Sequence, residues 1–454
     1  MHITKDFVQQ RKIPLYGQAV LDLLQFAAPD LHRIRSLSEN DWSKLLEFCD
    51  EAQLTLTVAH LAGSGLPGWV RSRIDCNRSD SAEREARLDN ALVEITHRFT
   101  EEGIDFLLIK GFGHAHEFNP DASLRSTADI DLYCLPDSIT KARDALVGLG
   151  YRAIGASRGR HLPPMIRETE WQWRGNYFAA DLPLPVDLHY KLWDEKLEHI
   201  PGPREDEFWC RRSCRVLADE IIPVLALPDA LAFGALHLLM HLLHGDLRLQ
   251  RAWEIAYFLQ HRADDDTFWK DWRQSHHPDI RSLQVTIFCL VQRWFQCRIP
   301  AIVEWEAEML PRHVQLWLRR YAFSPVAALF SENKDELWLN LCLVRSWRGK
   351  ASVFFRRLLP LQVGISTATG PANTGFQLIR AWSRTTAFIC GRMAHHVRTL
   401  PTTLFQGLSW CWILANYEVG GTCREFLSVF HNSRRHVRDK GLAGQFRARN
   451  HWQI

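Results

Sequence analysis

The sequence predicts an α+β protein in which a small mixed sheet is flanked by N-terminal and C-terminal helical segments. Three observations predict it. Long stretches repeat apolar residues at i, i+3, i+4 and i+7, as Trp42, Leu45, Leu46 and Cys49 do, which is the period of a half-buried helix. Between about 103 and 200 that period gives way to short apolar runs of strand length. Finally, 454 residues with 46% hydrophobic content can bury ample core for two to four domains.

The first hundred residues read as helical. Ser38 followed by Asp41 resembles a capping box, in which a hydroxyl accepts from a free backbone amide of the first turn. Loops are expected at Pro67-Gly68 and from Asn77 to Ser81, after which Leu88, Leu92, Ile95 and Phe99 stripe an amphipathic helix. The run Gly103-Ile104-Asp105-Phe106-Leu107-Leu108-Ile109-Lys110-Gly111-Phe112-Gly113 then reads as a buried strand entering a glycine turn. A helix opens at Pro136-Asp137 and closes at Gly148 to Gly150. Trp171-Gln172-Trp173 alternates as a strand does, with Tyr177-Phe178 on its partner. These rings either line a base or acceptor pocket or fill the sheet core, the core being the expected place.

From Pro228 to Gly245 the chain turns helical again. His237, His241 and His244 fall at i, i+4 and i+7 there, a spacing that could serve a transition metal but is expected to pack against the core. Residues 264–345 continue as helices broken at Pro300, Pro311 and Pro325. The expected division is an N-terminal helical segment (1–100), an α/β core (101–200), a helical domain packing on it (201–350) and a basic helical extension (351–454).

Chemistry concentrates on three carboxylates. Asp129 and Asp131 lie two apart in Thr127-Ala128-Asp129-Ile130-Asp131-Leu132-Tyr133, so a strand presents both on one face while Ile130 turns inward. Asp187 in Pro185-Val186-Asp187-Leu188-His189 supplies a third from another strand. Magnesium takes hard oxygen ligands, commonly one or two carboxylates plus substrate phosphates, so such a trio suits metal-assisted phosphate chemistry. Gly111 and Gly113 let backbone amides approach a phosphate, and the helix that follows adds its positive end. Lys110 adds a point charge and Arg125 a planar fork. His189 shares the face of Asp187 and is a candidate to touch substrate or fix the aspartate.

These elements together resemble an uncharacterised bacterial nucleotidyltransferase family within the polymerase-β-like superfamily. The resemblance rests on Leu107-Leu108-Ile109-Lys110-Gly111, Phe118-Asn119-Pro120, Arg125, Asp129-Ile130-Asp131-Leu132, Leu149-Gly150-Tyr151 and Val186-Asp187-Leu188-His189. It implies that Asp129, Asp131 and Asp187 are catalytic and hold two Mg2+ ions. Lys110, Gly111, Gly113, Arg125 and His189 would then bind the NTP, with ATP as the expected donor. The implied reaction moves a nucleoside monophosphate, AMP by expectation, from NTP to a small-molecule, peptide or protein acceptor. The alternative is a catalytically inactive nucleotide-binding scaffold or interaction protein. Where many superfamily members follow the glycine with Ser or Gly this chain has Phe112, and where the family usually has Asp after a Trp-bearing helix turn it has Glu254.

Composition narrows the classes. Eleven scattered cysteines without a Cys-x-x-Cys pair predict reduced thiols and a cytoplasmic protein. The first residues lack a signal-peptide apolar core, and no run of about 18 apolar residues predicts a membrane span. Net charge is +3, yet residues 351–454 carry 13 Lys and Arg against 3 Asp and Glu. This extension, with an apolar stretch at 402–417, is expected to dock a protein partner or an anionic surface. Its aromatics follow no RNA-binding signature, so nucleic acid is not the expected partner.

Overall fold

The computed structural model describes residues 13–358, apart from 128, 156–158, 170 and 172, together with 386, 390, 394 and 397–415. The chain divides into two compact units after Thr399, and every element named below lies in the first.

Helices α1 (Leu15–Leu23), α2 (Glu39–Glu51), α3 (Thr55–Ala62) and α4 (Gly68–Glu101) precede the sheet. Ser38 caps α2 as the sequence predicts: the Asp41 amide donates to Ser38 Oγ at 3.2 Å, and the hydroxyl donates back to Asp41 Oδ2 at 2.6 Å. Helix α4 departs from expectation. It runs unbroken for 34 residues, straight through Asn77–Ser81, where the polar run predicts a loop. The reason is that Asn77, Ser81, Arg84 and Leu88 are all buried along one helical stripe, so polar residues continue the apolar face. Arg84 accounts for that burial by donating to the Tyr177 carbonyl at 2.8 Å and to the Ser126 hydroxyl.

The sheet contains seven strands: β1 (Leu107–Leu108), β2 (Ile130–Tyr133), β3 (Tyr151–Ala153), β4 (Met165–Arg167), β5 (Val186–His189), β6 (Ser213–Leu217) and β7 (Glu220–Val224), in the order β3-β4-β5-β2-β1-β7-β6. It is mixed, as predicted. Strand β2 runs parallel to β5 and antiparallel to β1, while β1 is parallel to β7. Side chains alternate across the central strands. Ile130, Leu132, Val186 and Leu188 face Leu92, Ile95 and Phe99 of α4 and Ala142, Ala145 and Leu146 of α5 (Ile139–Gly148). Leu107, Ile109 and Tyr133 face the other way, onto Ala232 and Phe233 of α6 (Leu227–Leu243). Each fully buried Leu, Ile or Val contributes roughly 1.5–3 kcal/mol, so a shift of one residue in β2 would exchange its apolar and acidic faces at prohibitive cost.

Trp171 and Trp173 do not form a strand, and neither do Tyr177 and Phe178. Trp173 and Tyr177 are exposed, with rings 4.8 Å apart, and only Phe178 is buried, so the expected core role fails for the first two. Gly175 turns at φ +81°, and Arg174 pairs with Asp181, which makes this segment a surface loop. Gln172 lies outside the described residues.

Downstream, α7 (Leu249–Arg262), α8 (Asp266–Ser275), α9 (Pro278–Phe295), α10 (Ala301–Glu308) and α11 (Arg312–Tyr321) pack around buried Trp253, Trp269, Trp272, Trp294 and Trp317. Pro300 and Pro311 immediately precede α10 and α11, as the sequence predicts. Residues 397–415 are helical, while the stretch 364–374 and residues 416–454 lie outside the described residues. No helix is long and apolar enough to cross a membrane among the described residues. The ten described cysteines are all free thiols.

Replacing Arg84 with Ala should lower stability by about 2–4 kcal/mol, since it strands buried partners and empties a large side-chain volume. Urea denaturation of the purified chain measures this; an unchanged midpoint would mean that the polar stripe of α4 is not tied to the loop at Ser126.

Candidate functional site

Because β2 and β5 are parallel with Asp131 registered against Asp187, two carboxylates stand side by side on neighbouring strands. The pleat sends both to the face opposite Ile130, Leu132, Val186 and Leu188, together with His189. One ligand atom each from Asp131, Asp187 and His189 lies within 4.8 Å of the others, the group of His, Cys, Asp or Glu side chains best placed for a metal among the described residues. Asp129, one residue before β2, is at the same end of the sheet as Lys110, which follows the antiparallel β1. The Ile109 amide donates to the Asp131 carbonyl at 3.1 Å and so fixes Lys110 beside that strand.

The electrostatics follow from this crowding. Asp131 is only 3% exposed, and Lys110 Nζ donates to its Oδ1 at 2.6 Å. Burial pushes this carboxyl upward, but Lys110 and a hydrogen bond from His189 outweigh it and hold the group well below the usual range. His189 Nε2 lies 2.9 Å from the same oxygen. Burial lowers the imidazole to about 4, so at neutral pH the ring is uncharged, and a carboxylate that can only accept fixes the proton on Nε2. Asp129 behaves in the opposite sense: burial first, then the charge of Asp131, raises it to about 6. Two adjacent carboxylates with opposed shifts form one coupled unit, the arrangement expected where a cation is needed to ionise both.

Asp129 and Asp131 open onto a narrow cleft lined also by Lys110, Arg125, Thr127 and Arg251. Arg125 is buried and pairs with Glu254 of α7 at 3.2 Å. Gly111 begins a single 3-10 turn, Gly111–His114, followed by the four-residue helix Ala115–Phe118, so the helix expected after the glycine turn is too short to carry much of a dipole. Gly113 answers a steric need, since a Cβ there would lie 3.0 Å from Val224 Cγ1.

The histidines of α6 do not converge. His237 and His241 have rings 4.6 Å apart, but His241 turns to Asp246 at 3.2 Å, and His244, beyond the last helical residue, turns to Glu198 at 3.1 Å. The i, i+4, i+7 spacing fails as a metal site because its third member sits at the helix cap. Sequence reasoning missed Arg160, His161 and Arg251. The half-buried Arg160 guanidinium lies close enough to feel both Glu198 and Asp131, and the His161 ring is 5.1 Å from that of His189. No motif marks Arg160 or His161; Arg251 carried a signal, one helical turn from Glu254.

A family model described as an uncharacterised nucleotidyltransferase matches residues 38–296, more than half of the chain. The chain belongs to this family. The nucleotidyltransferase match spans the whole sheet together with α6 and α7, so the acidic cluster and the arginines that line the same cleft lie inside it. No curated protein and no solved structure matches the chain.

The turn at Lys110 is anchored by a buried histidine that gives a pH test. His114 bonds the Leu225 carbonyl at 2.8 Å, and burial lowers it to about 4. Its unfolded value is higher, so the unfolded chain binds more protons between about 4 and 6.5, and stability falls as pH drops through that window. Unfolding by urea at pH 7 and pH 5 should differ by about 2 kcal/mol more in the wild type than in His114→Gln. Equal pH dependence in both would remove His114 from the anchor.

Proposed function

We propose that this chain transfers a nucleoside monophosphate, with AMP as the foremost candidate, from an NTP to a small-molecule, peptide or protein acceptor. The observation that carries the reading is the registered pair Asp131 and Asp187, flanked by Asp129, within a nucleotidyltransferase family. The donor set suits a hard divalent cation, and the Lys110 ammonium already meets Asp131 where positive charge is needed. Asp129, Asp131 and Asp187 would hold two Mg2+ ions, which when bound neutralise the triphosphate and stabilise the entering and leaving oxygens.

The chain's own groups supply the rest. Lys110 and Arg125 bind phosphate oxygens, the first as a point charge and the second as a fork, while Gly111 keeps the backbone open to them. His189 orients Asp131 through its Nε2–H. Asp187 receives the proton that the acceptor hydroxyl loses. The acceptor oxygen bonds to the α-phosphorus as the bond to the bridging oxygen breaks, and pyrophosphate leaves with the electron pair. Most of the catalytic effect in such a site comes from positioning the two reactants in line. In this reading residues 101–200 hold the catalytic core, 201–350 pack on it, and the basic 351–454 extension docks a protein partner or an anionic surface. The cytoplasm is the proposed compartment.

One observation favours the scaffold alternative: the same Lys110 contact at 2.6 Å neutralises Asp131 without any metal. Incubating the chain with radiolabelled NTPs, magnesium and cell extract separates the two readings. Labelled product is expected, and it should vanish in the Asp129→Ala, Asp131→Ala double variant. Nucleotide binding without product at any acceptor would favour the scaffold.

A further inference from the structure

Helix α7 carries two residues that the reaction outlined above leaves without a role, Arg251 in the lining of the cleft and Glu254 behind it. Arg251 lines the cleft that Arg125, Asp129 and Asp131 also line. Three residues along the helix, Glu254 lies 4% exposed beneath both. Its Oε1 is 3.2 Å from Arg125 Nη1, its Oε2 is 3.3 Å from Arg251 Nη1, and Asn119 Nδ2 donates to Oε1 at 3.3 Å. A buried carboxylate fixed from three sides is a brace rather than a surface ion pair.

The charge count points outward. One carboxylate shared by two guanidiniums leaves a positive charge over, and Arg251, with its side chain 26% exposed, spends one of its donor nitrogens on Glu254. Arg125 Nε is buried with no hydrogen-bond partner, although the Arg125 side chain is only 5% exposed. A buried guanidinium nitrogen left without an acceptor costs free energy that a bound anion would recover. Burial also pushes the Glu254 carboxyl upward while Arg251 and Asn119 oppose it, so the brace depends on its partners to stay charged.

We propose that Arg125 and Arg251, braced by Glu254, form a two-arginine clamp for the polyphosphate of the nucleotide donor, with Arg251 a binding residue and Glu254 a positioning residue. This rests on the nucleotidyltransferase reading of the cleft but assigns residues that the acidic motifs do not identify. Two planar forks held at fixed spacing suit a chain of phosphates, each of which can accept paired donors, better than a single carboxylate ligand. The shared chemistry is an inorganic or nucleoside polyphosphate; tighter wild-type binding of MgATP than of magnesium tripolyphosphate identifies the nucleoside form, and equal binding the inorganic chain.

Titration calorimetry of the full chain with magnesium tripolyphosphate and with MgATP tests the clamp. Arg251→Gln, at a partly exposed position that should leave folding intact, is expected to weaken both by about tenfold or more. Glu254→Gln has the sharper sign. It adds a net positive charge to the cleft, so simple electrostatics predicts tighter anion binding, whereas loss of the brace predicts binding weakened by about tenfold. Glu254→Asp, which keeps the carboxylate, should recover most of the affinity. Unchanged affinity in Arg251→Gln, or tighter binding in Glu254→Gln, would overturn the clamp. Product formation is read separately: wild-type turnover with unaltered binding in Arg251→Gln sinks the clamp and leaves the transferase reading intact. Polyphosphate binding lost in Arg251→Gln, without turnover in the wild type, keeps the clamp and sinks the transferase.

Discussion

Two carboxylates cannot stand next to each other in a nearly dry sheet without a cation, and that constraint organises the centre of this protein. The parallel register of β2 and β5 puts Asp131 level with Asp187. Isolated, such a pair would shed charge by taking up protons. Lys110 and the His189 N–H keep Asp131 ionised, while neighbouring Asp129 is raised to about 6. The surroundings follow from it: the apolar face fixes the register, the short turn after β1 delivers the lysine, and α6 closes the acidic face.

The cleft beside this pair also carries arginines. A cleft that carried only carboxylates would repel a nucleoside triphosphate. Arg125 and Arg251 supply the complementary sign, and Glu254 sets their spacing from within the helical layer. In the proposed reading, acidic and basic side chains lining one narrow cleft suit a metal-bound polyphosphate. The helical segments therefore do more than cover the sheet; α7 supplies Arg251 to the lining of the cleft.

Much of this was legible in the sequence because strand geometry has a period of two. Asp129 with Asp131, and Asp187 with His189, could each be assigned to one face of their own strand from spacing alone, and Ser38 with Asp41 announced a cap. What spacing could not give was pairing between distant segments. That Asp131 meets Asp187 in register, and that Lys110 spends its charge on Asp131, depends on strand order. The loop predicted at Asn77–Ser81 was misread because burial of polar residues depends on a partner, Ser126 and Tyr177 for Arg84, that lies far along the chain. Trp173 alternated as a strand residue does but has no sheet neighbour. His244 kept helical spacing just past the point where the helix stops. Arg160 and His161 carried no motif, since such groups are recognised only by what the fold brings beside them.

The account's central claim is that Asp131 and Asp187 together form a cation site whose charge Lys110 balances in the absence of metal. Electron paramagnetic resonance of Mn2+ titrated into the full chain tests it most directly, through binding alone. Saturable Mn2+ binding should be weakened at least tenfold in Asp187→Asn and strengthened in Lys110→Met, which removes the competing ammonium. Binding that is unchanged in Asp187→Asn, or lost in Lys110→Met, would contradict the claim.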